Sequence, residues 1–294
     1  MNAQHSPGLA SAAVFLSAAV WGLFWIPIRV FEAHGIGGEW ALIALYFPAF
    51  LVLLPVVAFD LSRQIRHIRS ALIIGACLGA ALAFFGVAII HTSVVRATML
   101  FYLSPVWATL ISQFWLAEAP TLRRWIGIVL GLAGLLLLVF ERQLVALSSG
   151  DILALLSGLF WAVGLAGIKR AGRIPIAGLS MFQFLFAVLF IFALARLYGQ
   201  LEAPAIGGKL SEFFAVVGVS ICFILPAVFL LAWASRILYP GRVGLLMMSE
   251  AVVAVATAST FLPEETLTTL QWAGGALIVT ASLIEILGNS RDNY

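Results

Sequence analysis

The sequence contains few charged residues and almost no cysteine. Only 10% of its 294 residues are charged, and its two cysteines, Cys77 and Cys222, both lie inside apolar runs. Soluble domains carry about 25% charged residues, so this composition excludes an ordinary soluble protein. Two isolated cysteines provide neither a disulfide framework nor a metal-binding spacing, and we therefore expect free, buried thiols and no metal site.

The chain also lacks the residues that a membrane-embedded enzyme or an ATP-driven pump would need. It has no Walker or dinucleotide-binding motif, and its four histidines (His5, His34, His67 and His91) lie in the N-terminal tail, in loops or at span edges. Only one acidic residue, Glu250, lies deep inside an apolar segment. We therefore expect no catalytic residues and no cofactor. The net charge of +3 does not indicate nucleic-acid binding, because the basic residues sit in short loops.

Long apolar segments dominate the sequence instead. Hydrophobic residues make up 63% of the chain and the mean hydropathy is +1.11, as in integral membrane proteins. A helix of about 20 apolar residues crosses a bilayer. Ten such spans fit the sequence: Leu9–Ile28, Trp40–Phe59, Ser70–Ile90, Ala97–Ala117, Trp125–Phe140, Ile152–Ile168, Ile174–Ala195, Phe213–Ser235, Val243–Pro263 and Thr266–Ile284. The sequence thus predicts an all-α integral membrane protein with ten transmembrane helices.

The basic residues are unevenly distributed between the two sides of this predicted bundle. With the N-terminus inside, eleven of the sixteen basic residues fall on the cytoplasmic side: Arg63, Arg66, Arg69, Arg123, Arg124, Lys169, Arg170, Arg173, Arg236, Arg242 and Arg291. Cytoplasmic loops of membrane proteins carry an excess of Lys and Arg. We therefore predict a multi-pass protein of the inner (plasma) membrane with both termini in the cytoplasm.

The two halves of the sequence repeat one another. The aligned pairs occur in the same order in both halves: Ser17 with Ser157, Trp21 with Trp161, Ser104-Pro105 with Ser249-Glu250, and Trp125 with Trp272. Each half, residues 1–145 and 146–294, then holds five spans, and an odd number of spans inverts the second half relative to the first. Inverted repeats of this kind are typical of secondary transporters, so we expect the halves to form one transport domain.

These paired motifs resemble those of the EamA family in the drug/metabolite transporter superfamily. Besides the serine and tryptophan of each first span, the first half carries Pro105, Glu118 and Gly127. The second half carries Glu250, Glu264 and Gly274, with Ala251 in place of the family's usual proline. Within the family the chain is most similar to aromatic amino-acid exporters of the YddG type. The resemblance implies ten helices in two inverted five-helix repeats and the export of small metabolites by alternating access.

The predicted substrate site lies where the centres of the two repeats would meet. A carboxylate at bilayer depth normally faces a cavity or a partner. Glu250 therefore has three interpretations: it pairs with a substrate ammonium, carries a coupling proton, or bonds a neighbouring helix as a structural element. The predicted substrate-binding residues are Trp21, Tyr102, Ser104, Pro105, Trp107, Trp161, Met248, Ser249 and Glu250.

Three tryptophans fall near mid-membrane, away from the interfaces where tryptophan usually collects: Trp21, Trp107 and Trp161. They either wall an apolar cavity for a flat substrate or fill the helix core. The fourth span also carries a polar stripe along one helical face, formed by Thr98, Tyr102, Pro105, Thr109 and Ser112. Such a face lines water or hydrogen-bonds a neighbouring helix.

Two further features concern the edges and the packing of the bundle. His91 and Arg96 lie at the outer ends of the third and fourth spans and are predicted entrance residues, although Arg96 also fits a side chain that snorkels to the interface. The GxxxG spacings Gly75/Gly79 and Gly127/Gly131 predict close helix contacts. The expected partners are a small-molecule substrate such as an amino acid and the lipid bilayer, and a monomeric state is expected.

Overall fold

The computed structural model describes residues 7–33, 35–92, 94–139, 148–198, 214–215, 217–218, 220–261 and 268–288. These residues form helices and short connections and no β-strand. In the first half the helices are α1 (Pro7–Gly22), α2 (Trp25–Ala33), α3 (Gly38–Phe59), α4 (Leu61–Arg66), α5 (Ile68–His91), α6 (Val94–Phe101), α7 (Ser104–Trp115) and α8 (Leu122–Val139). In the second half they are α9 (Ser149–Ala171), α10 (Ile176–Leu197), α11 (Leu225–Ile237), α12 (Pro240–Met247), α13 (Ser249–Phe261) and α14 (Thr269–Gly288). Glu264 and Arg291 lie outside the described residues.

Several of these helices are long and apolar enough to cross a bilayer. They are Pro7–Ile28, Gly38–Phe59, Ile68–His91, Ser149–Ala171 and Ile176–Leu197, and a shorter apolar helix covers Ile221–Ile237. The remaining helices follow the predicted order, with α6–α7 as span 4, α8 as span 5, α12–α13 as span 9 and α14 as span 10. The architecture is therefore an all-helical membrane bundle, consistent with ten spans of which the first is α1–α2 and the eighth is α11.

Antiparallel packing of α5 and α9 defines the two ends of the bundle. A Cβ atom at Gly150 would lie 2.9 Å from the backbone of His91, whereas one at Gly167 would lie 2.9 Å from the side chain of Ile74. We call the end at which Gly150 meets His91 the His91 end. Beyond Gly167, the guanidinium of Arg170 lies over the ring of Trp115. The turn that follows Trp115 leads into α8, and we call this second end the Arg124 end.

The first span of each half is held by the opposite half. The hydroxyl of Ser17 on α1 donates to the carbonyl oxygen of Ala227 on α11 at 3.0 Å, and the hydroxyl of Ser157 on α9 donates to the carbonyl oxygen of Ala81 on α5 at 2.8 Å. Both serines are fully buried. In the same way, α1 packs on α11, α12 and α13, while α9 packs on α5, α6 and α7. The serines that align in the sequence thus serve as equivalent interhelical anchors.

Spans 1, 4 and 9 are each broken in the middle. In span 4 the amide of Leu103 bonds to the carbonyl three residues back at 3.3 Å, and in span 9 the amide of Met248 does the same at 3.2 Å. These tighter bonds end one helix and begin the next, so that Ser104 and Ser249 are the first residues of α7 and α13. The two breaks therefore fall at aligned positions. The ninth span breaks although Ala251 replaces the family's proline.

The predicted glycine contacts are confirmed. A Cβ atom at Gly79 would lie 2.6 Å from the carbonyl oxygen of Gln183, and one at Gly131 would lie 2.7 Å from the sulfur of Met248. A side chain at Gly79 would therefore push α5 away from α10, whereas one at Gly131 would displace the Met248 side chain. Gly75 meets α10 and Gly127 meets α12 in the same manner.

The prediction that both cysteines are buried is wrong for Cys222. Cys77 is partly buried, but Cys222 is exposed. It lies in a π-helical turn, Ser220–Ile224, where the wider helix changes which side chains face the neighbouring spans. An apolar run within a membrane protein does not reveal which of its residues face lipid, and this explains the error.

We expect Gly79→Ala to destabilise the protein by about 1–3 kcal/mol, because the added methyl group would collide with the backbone of α10. Thermal unfolding of the purified protein in detergent measures this effect. Gly37→Ala is the matched control, since a Cβ atom there meets nothing within 4 Å. Equal melting temperatures for the two variants would contradict the proposed close contact.

Candidate functional site

The three broken spans meet around Glu250. A Cβ atom at Gly22, at the end of α1, would lie 2.7 Å from the carbonyl oxygen of Glu250. On the other side of span 9, a Cβ atom at Gly244 would lie 3.2 Å from the Cα atom of Pro105 at the start of α7. Span 9 is therefore in contact with the breaks of both span 1 and span 4. Discontinuous helices of this kind present backbone groups to the substrate sites of many transporters.

Two tyrosines lie near the Glu250 carboxylate. The Tyr102 hydroxyl is its neighbour from span 4, although the pair does not reach full hydrogen-bond geometry. Tyr46, from α3, is fully buried and within electrostatic range of the same carboxylate. Among the described residues, no basic side chain forms an ion pair with Glu250. The carboxylate is thus placed near two phenols and, within the described part of the chain, is not paired with a cation.

The two repeat-related tryptophans lie in the same hydrophobic cluster. Trp161 is buried, and its ring centroid lies 6.3 Å from that of Phe101. It borders a small cavity together with residues of α5, α9, α10 and α11. The cavity measures about 10 Å³, roughly the space of one water molecule. This conformation therefore leaves no space for an amino acid beside Trp161.

Trp21 and Trp107 each keep an unused hydrogen-bond donor in the interior. Trp21 is partly buried beside the break in span 1, and its ring packs on Phe24 with centroids 5.5 Å apart. Its indole N–H is buried without a hydrogen-bond partner, and so is that of Trp107 on α7. Trp21 does not border the cavity beside Trp161, so a single cavity shared by Trp21 and Trp161 remains a prediction.

The other predicted residues of the central site make packing contacts in this conformation. Ser104 and Pro105 are buried at the start of α7, where Pro105 faces Gly244. The sulfur of Met248 packs against Gly131. The hydroxyl of Ser249 donates to the carbonyl oxygen of Leu246 at 2.8 Å, which leaves it engaged within its own span.

At the His91 end, a buried polar cluster surrounds the predicted entrance residue. The Nε2 atom of His91 lies 3.6 Å from Oε1 of Glu39 on α3, and its ring stacks on Tyr198 with centroids 4.1 Å apart. The next residue, Thr92, donates to the carboxylate of Asp151 at 2.9 Å. The side chain of Arg96, the second predicted entrance residue, lies outside the described part of the structure. This cluster joins the two halves at one end of the bundle.

At the Arg124 end, a buried ion-pair network joins the halves. The guanidinium of Arg124 on α8 bonds to Glu118 and to Glu285 on α14, with distances of 3.0 and 3.2 Å to Oε1 of Glu285. All three side chains are at most 9% exposed. Burial raises the pKa of the Glu118 carboxyl above its ordinary value, although the charge of Arg124 acts in the opposite direction. Desolvation therefore offsets part of the attraction within this network.

The amino-acid sequence does not reveal this network, for two reasons. Arg124 was assigned to a loop, where it served only as evidence for orientation. Glu285 falls one residue beyond the predicted end of the tenth span, whereas α14 continues to Gly288 and buries it. Three acids at the ends of predicted spans, Glu39, Asp151 and Glu285, are also buried. The signal that could have identified Glu285 is an acidic residue between two isoleucines near the C-terminus.

Comparisons with known proteins agree with this architecture. The model of the EamA-like transporter family matches the chain twice, over residues 8–140 and 148–286. The uncharacterized transporter YoaV of Bacillus subtilis (strain 168) is 27% identical over 155 residues, and this alignment spans 49% of the chain and 51% of that relative. A solved crystal structure shares the fold with a TM-score of 0.71 and 21% identity, covering 98% of this chain and 100% of the other.

The family match covers most of the chain in two consecutive copies, one for each half of the bundle. It points to transport rather than to enzymatic catalysis. This chain belongs to the EamA-like transporter family.

Proposed function

We propose that this transporter exports amino acids, including aromatic ones, from the cytoplasm by alternating access. The junction of the three broken spans supports this proposal most directly. Glu250 lies there without a basic partner among the described residues, beside the Tyr102 hydroxyl and in contact with the end of α1. An ammonium group would supply the missing positive charge, and the phenol would orient the carboxylate.

Aromatic substrates are favoured by the side chains around this junction. Trp21 and Trp161 occupy aligned positions in the two halves, and Phe101 links Trp161 to Tyr102 through ring contacts with centroids 6.3 and 5.5 Å apart. Flat ring systems stack on such side chains with a gain of about 0.5–1.5 kcal/mol per pair beyond area burial. The similarity of the motifs to those of YddG-type exporters supports the same substrate class.

The two halves, residues 1–145 and 146–294, form one transport domain in this proposal. Substrate binds between them, and the polar clusters at the two ends open in turn. The Glu39–His91 pair closes one end, and the network of Glu118, Arg124 and Glu285 closes the other. Both clusters are buried in this conformation, and the cavity beside Trp161 is too small for an amino acid. We therefore infer that the structure represents a state without open access to a substrate-sized site.

Uptake into proteoliposomes tests the substrate class. We expect saturable tryptophan and phenylalanine transport by the wild-type protein, and an approximately tenfold loss in Trp161→Ala and Trp21→Ala, which corresponds to about 1.4 kcal/mol. Trp272→Ala is the control, since Trp272 is 62% exposed on the outside of the bundle. Transport that does not saturate would indicate a channel, and equal losses in all three variants would remove the proposed role of the two central tryptophans.

Glu250→Gln distinguishes the three roles of this carboxylate. If Glu250 binds an ammonium group, as we propose, substrate binding and exchange should fall together by about tenfold or more, since hydrogen bonds to charged groups contribute about 1.5–3 kcal/mol. A coupling role would instead preserve exchange and abolish uptake driven by a pH gradient. Wild-type behaviour in both assays would leave Glu250 with a structural role. Asp60→Asn, at an exposed acid outside the site, is the control.

We also propose that the protein lies in the inner membrane with the Arg124 end in the cytoplasm, on the basis of the basic residues collected there. In a background without Cys77 and Cys222, Arg196→Cys should react with an impermeant maleimide in intact cells. Arg66→Cys should react only after permeabilisation. Both side chains are exposed, at opposite ends of the bundle. Labelling of both positions in intact cells would contradict this orientation.

A further inference from the structure

Arg242 is a buried cation with no bonded carboxylate among the residues that the structure describes. It lies near the start of α12, is 4% exposed, and donates through Nη2 to the hydroxyl of Ser11 on α1 at 2.9 Å. Its Nε and Nη1 atoms are buried without hydrogen-bond partners. The neighbouring Arg124, by contrast, is bonded to both Glu118 and Glu285. A buried guanidinium with two unused nitrogens is costly, and an acceptor that entered this position would lower that cost.

We propose that Arg242 receives the carboxylate of the substrate when the Arg124 end opens, before the substrate reaches Glu250. The inference rests on the proposed function, because it assigns a second binding site to the same amino-acid substrate. A planar guanidinium matches a carboxylate with paired donors. A carboxylate would bind this guanidinium end-on, at the unoccupied Nη1 and the second N–H of Nη2, while the other N–H of Nη2 stays on Ser11 and fixes the side chain.

Neighbouring groups favour an anion at this position. The hydroxyl of Thr109 on α7 is buried and has no hydrogen-bond partner among the described residues, and Thr109 faces Gly241, next to Arg242. The first turn of α12 adds the positive end of a helix dipole. The carboxylates of Glu118 and Glu285 are committed to Arg124 in this conformation, and Glu285 is close enough to act on Arg242 electrostatically.

The spacing within span 9 separates this site from Glu250. Glu250 lies eight positions after Arg242, which corresponds to about 12 Å at the rise of an α-helix. The ammonium and carboxylate of an α-amino acid are attached to the same carbon atom and cannot contact both residues at once. Arg242 therefore acts first, on the side that we place in the cytoplasm, and Glu250 acts second. The order requires that the Arg124 end opens, since Arg242 is only 4% exposed and lies beside Arg124 in this conformation.

Thermal unfolding in a neutral detergent tests this site without transport. The probe is N-acetyltryptophan, which has a carboxylate but no ammonium group, and N-acetyltryptophanamide is its uncharged match. We expect the acid to raise the melting temperature of the wild-type protein by about 2 °C or more at saturating concentration, and the amide to have no such effect. The shift should disappear in Arg242→Gln, and it should persist in Glu250→Gln and in Arg63→Gln, whose side chain is exposed at the same end.

Each outcome decides the inference. An equal shift by acid and amide, or a shift that Arg242→Gln retains, overturns it. If Arg242→Gln does not fold, Ser11→Ala provides the test, because it releases the guanidinium of Arg242. It should at least halve the rise in melting temperature with N-acetyltryptophan, and an unchanged rise overturns the inference. If the melting temperature of the wild-type protein rises only after anionic lipid is added, and not with N-acetyltryptophan, Arg242 binds a lipid headgroup and the inference is overturned. If the protein transports no amino acid but N-acetyltryptophan still raises its melting temperature in an Arg242-dependent way, the proposed function is wrong and Arg242 remains an anion site. Failure of the inference and failure of the proposed function therefore give different results.

Discussion

The need to satisfy backbone polar groups inside the bilayer governs this structure. A helix that stops in the membrane leaves amide and carbonyl groups that lipid cannot bond, so breaks survive only where protein surrounds them. Spans 1, 4 and 9 are broken, and they are packed against one another at Gly22, Pro105 and Gly244. The glycines permit this close approach, and the breaks in turn bring Glu250 and Tyr102 together. The central site is thus a consequence of where irregular backbone can be tolerated.

The two ends of the bundle also hold buried polar groups. Buried charges are stable only when opposite charges or donors accompany them, and each end gathers such groups from both halves. At one end Thr92 of the first half donates to Asp151 of the second, while at the other Arg124 bonds to Glu118 of its own half and to Glu285 of the second. Because these contacts join residues from different spans, opening one end means exchanging buried polar contacts for water or substrate. This arrangement links access at the ends to the packing of the broken spans.

The sequence predicted the features that depend on composition, periodicity and local spacing. The helical class, the order of the spans, the glycine contacts and the alignment of Ser17 with Ser157 follow from such patterns. It did not reveal the Arg124 network, because an ion pair such as Arg124–Glu285 depends on which distant helices meet, across 161 residues. The break at Met248 was also obscured, since the sequence offers no proline there. Cys222 shows the same limit, because hydropathy does not distinguish lipid-facing from core-facing positions.

The hydrogen bond between Ser17 and Ala227 can form only late in the synthesis of the chain. The two residues are 210 positions apart, so at about 5–20 residues per second the first span waits roughly 10–40 seconds before its acceptor is made. During this interval the side of α1 that will bury Ser17 has only lipid or the insertion machinery to contact. The first half cannot complete its packing until the second half enters the membrane. Assembly of this transporter is therefore a late, chain-length-dependent event, and truncated products of its message would expose that unpaired surface.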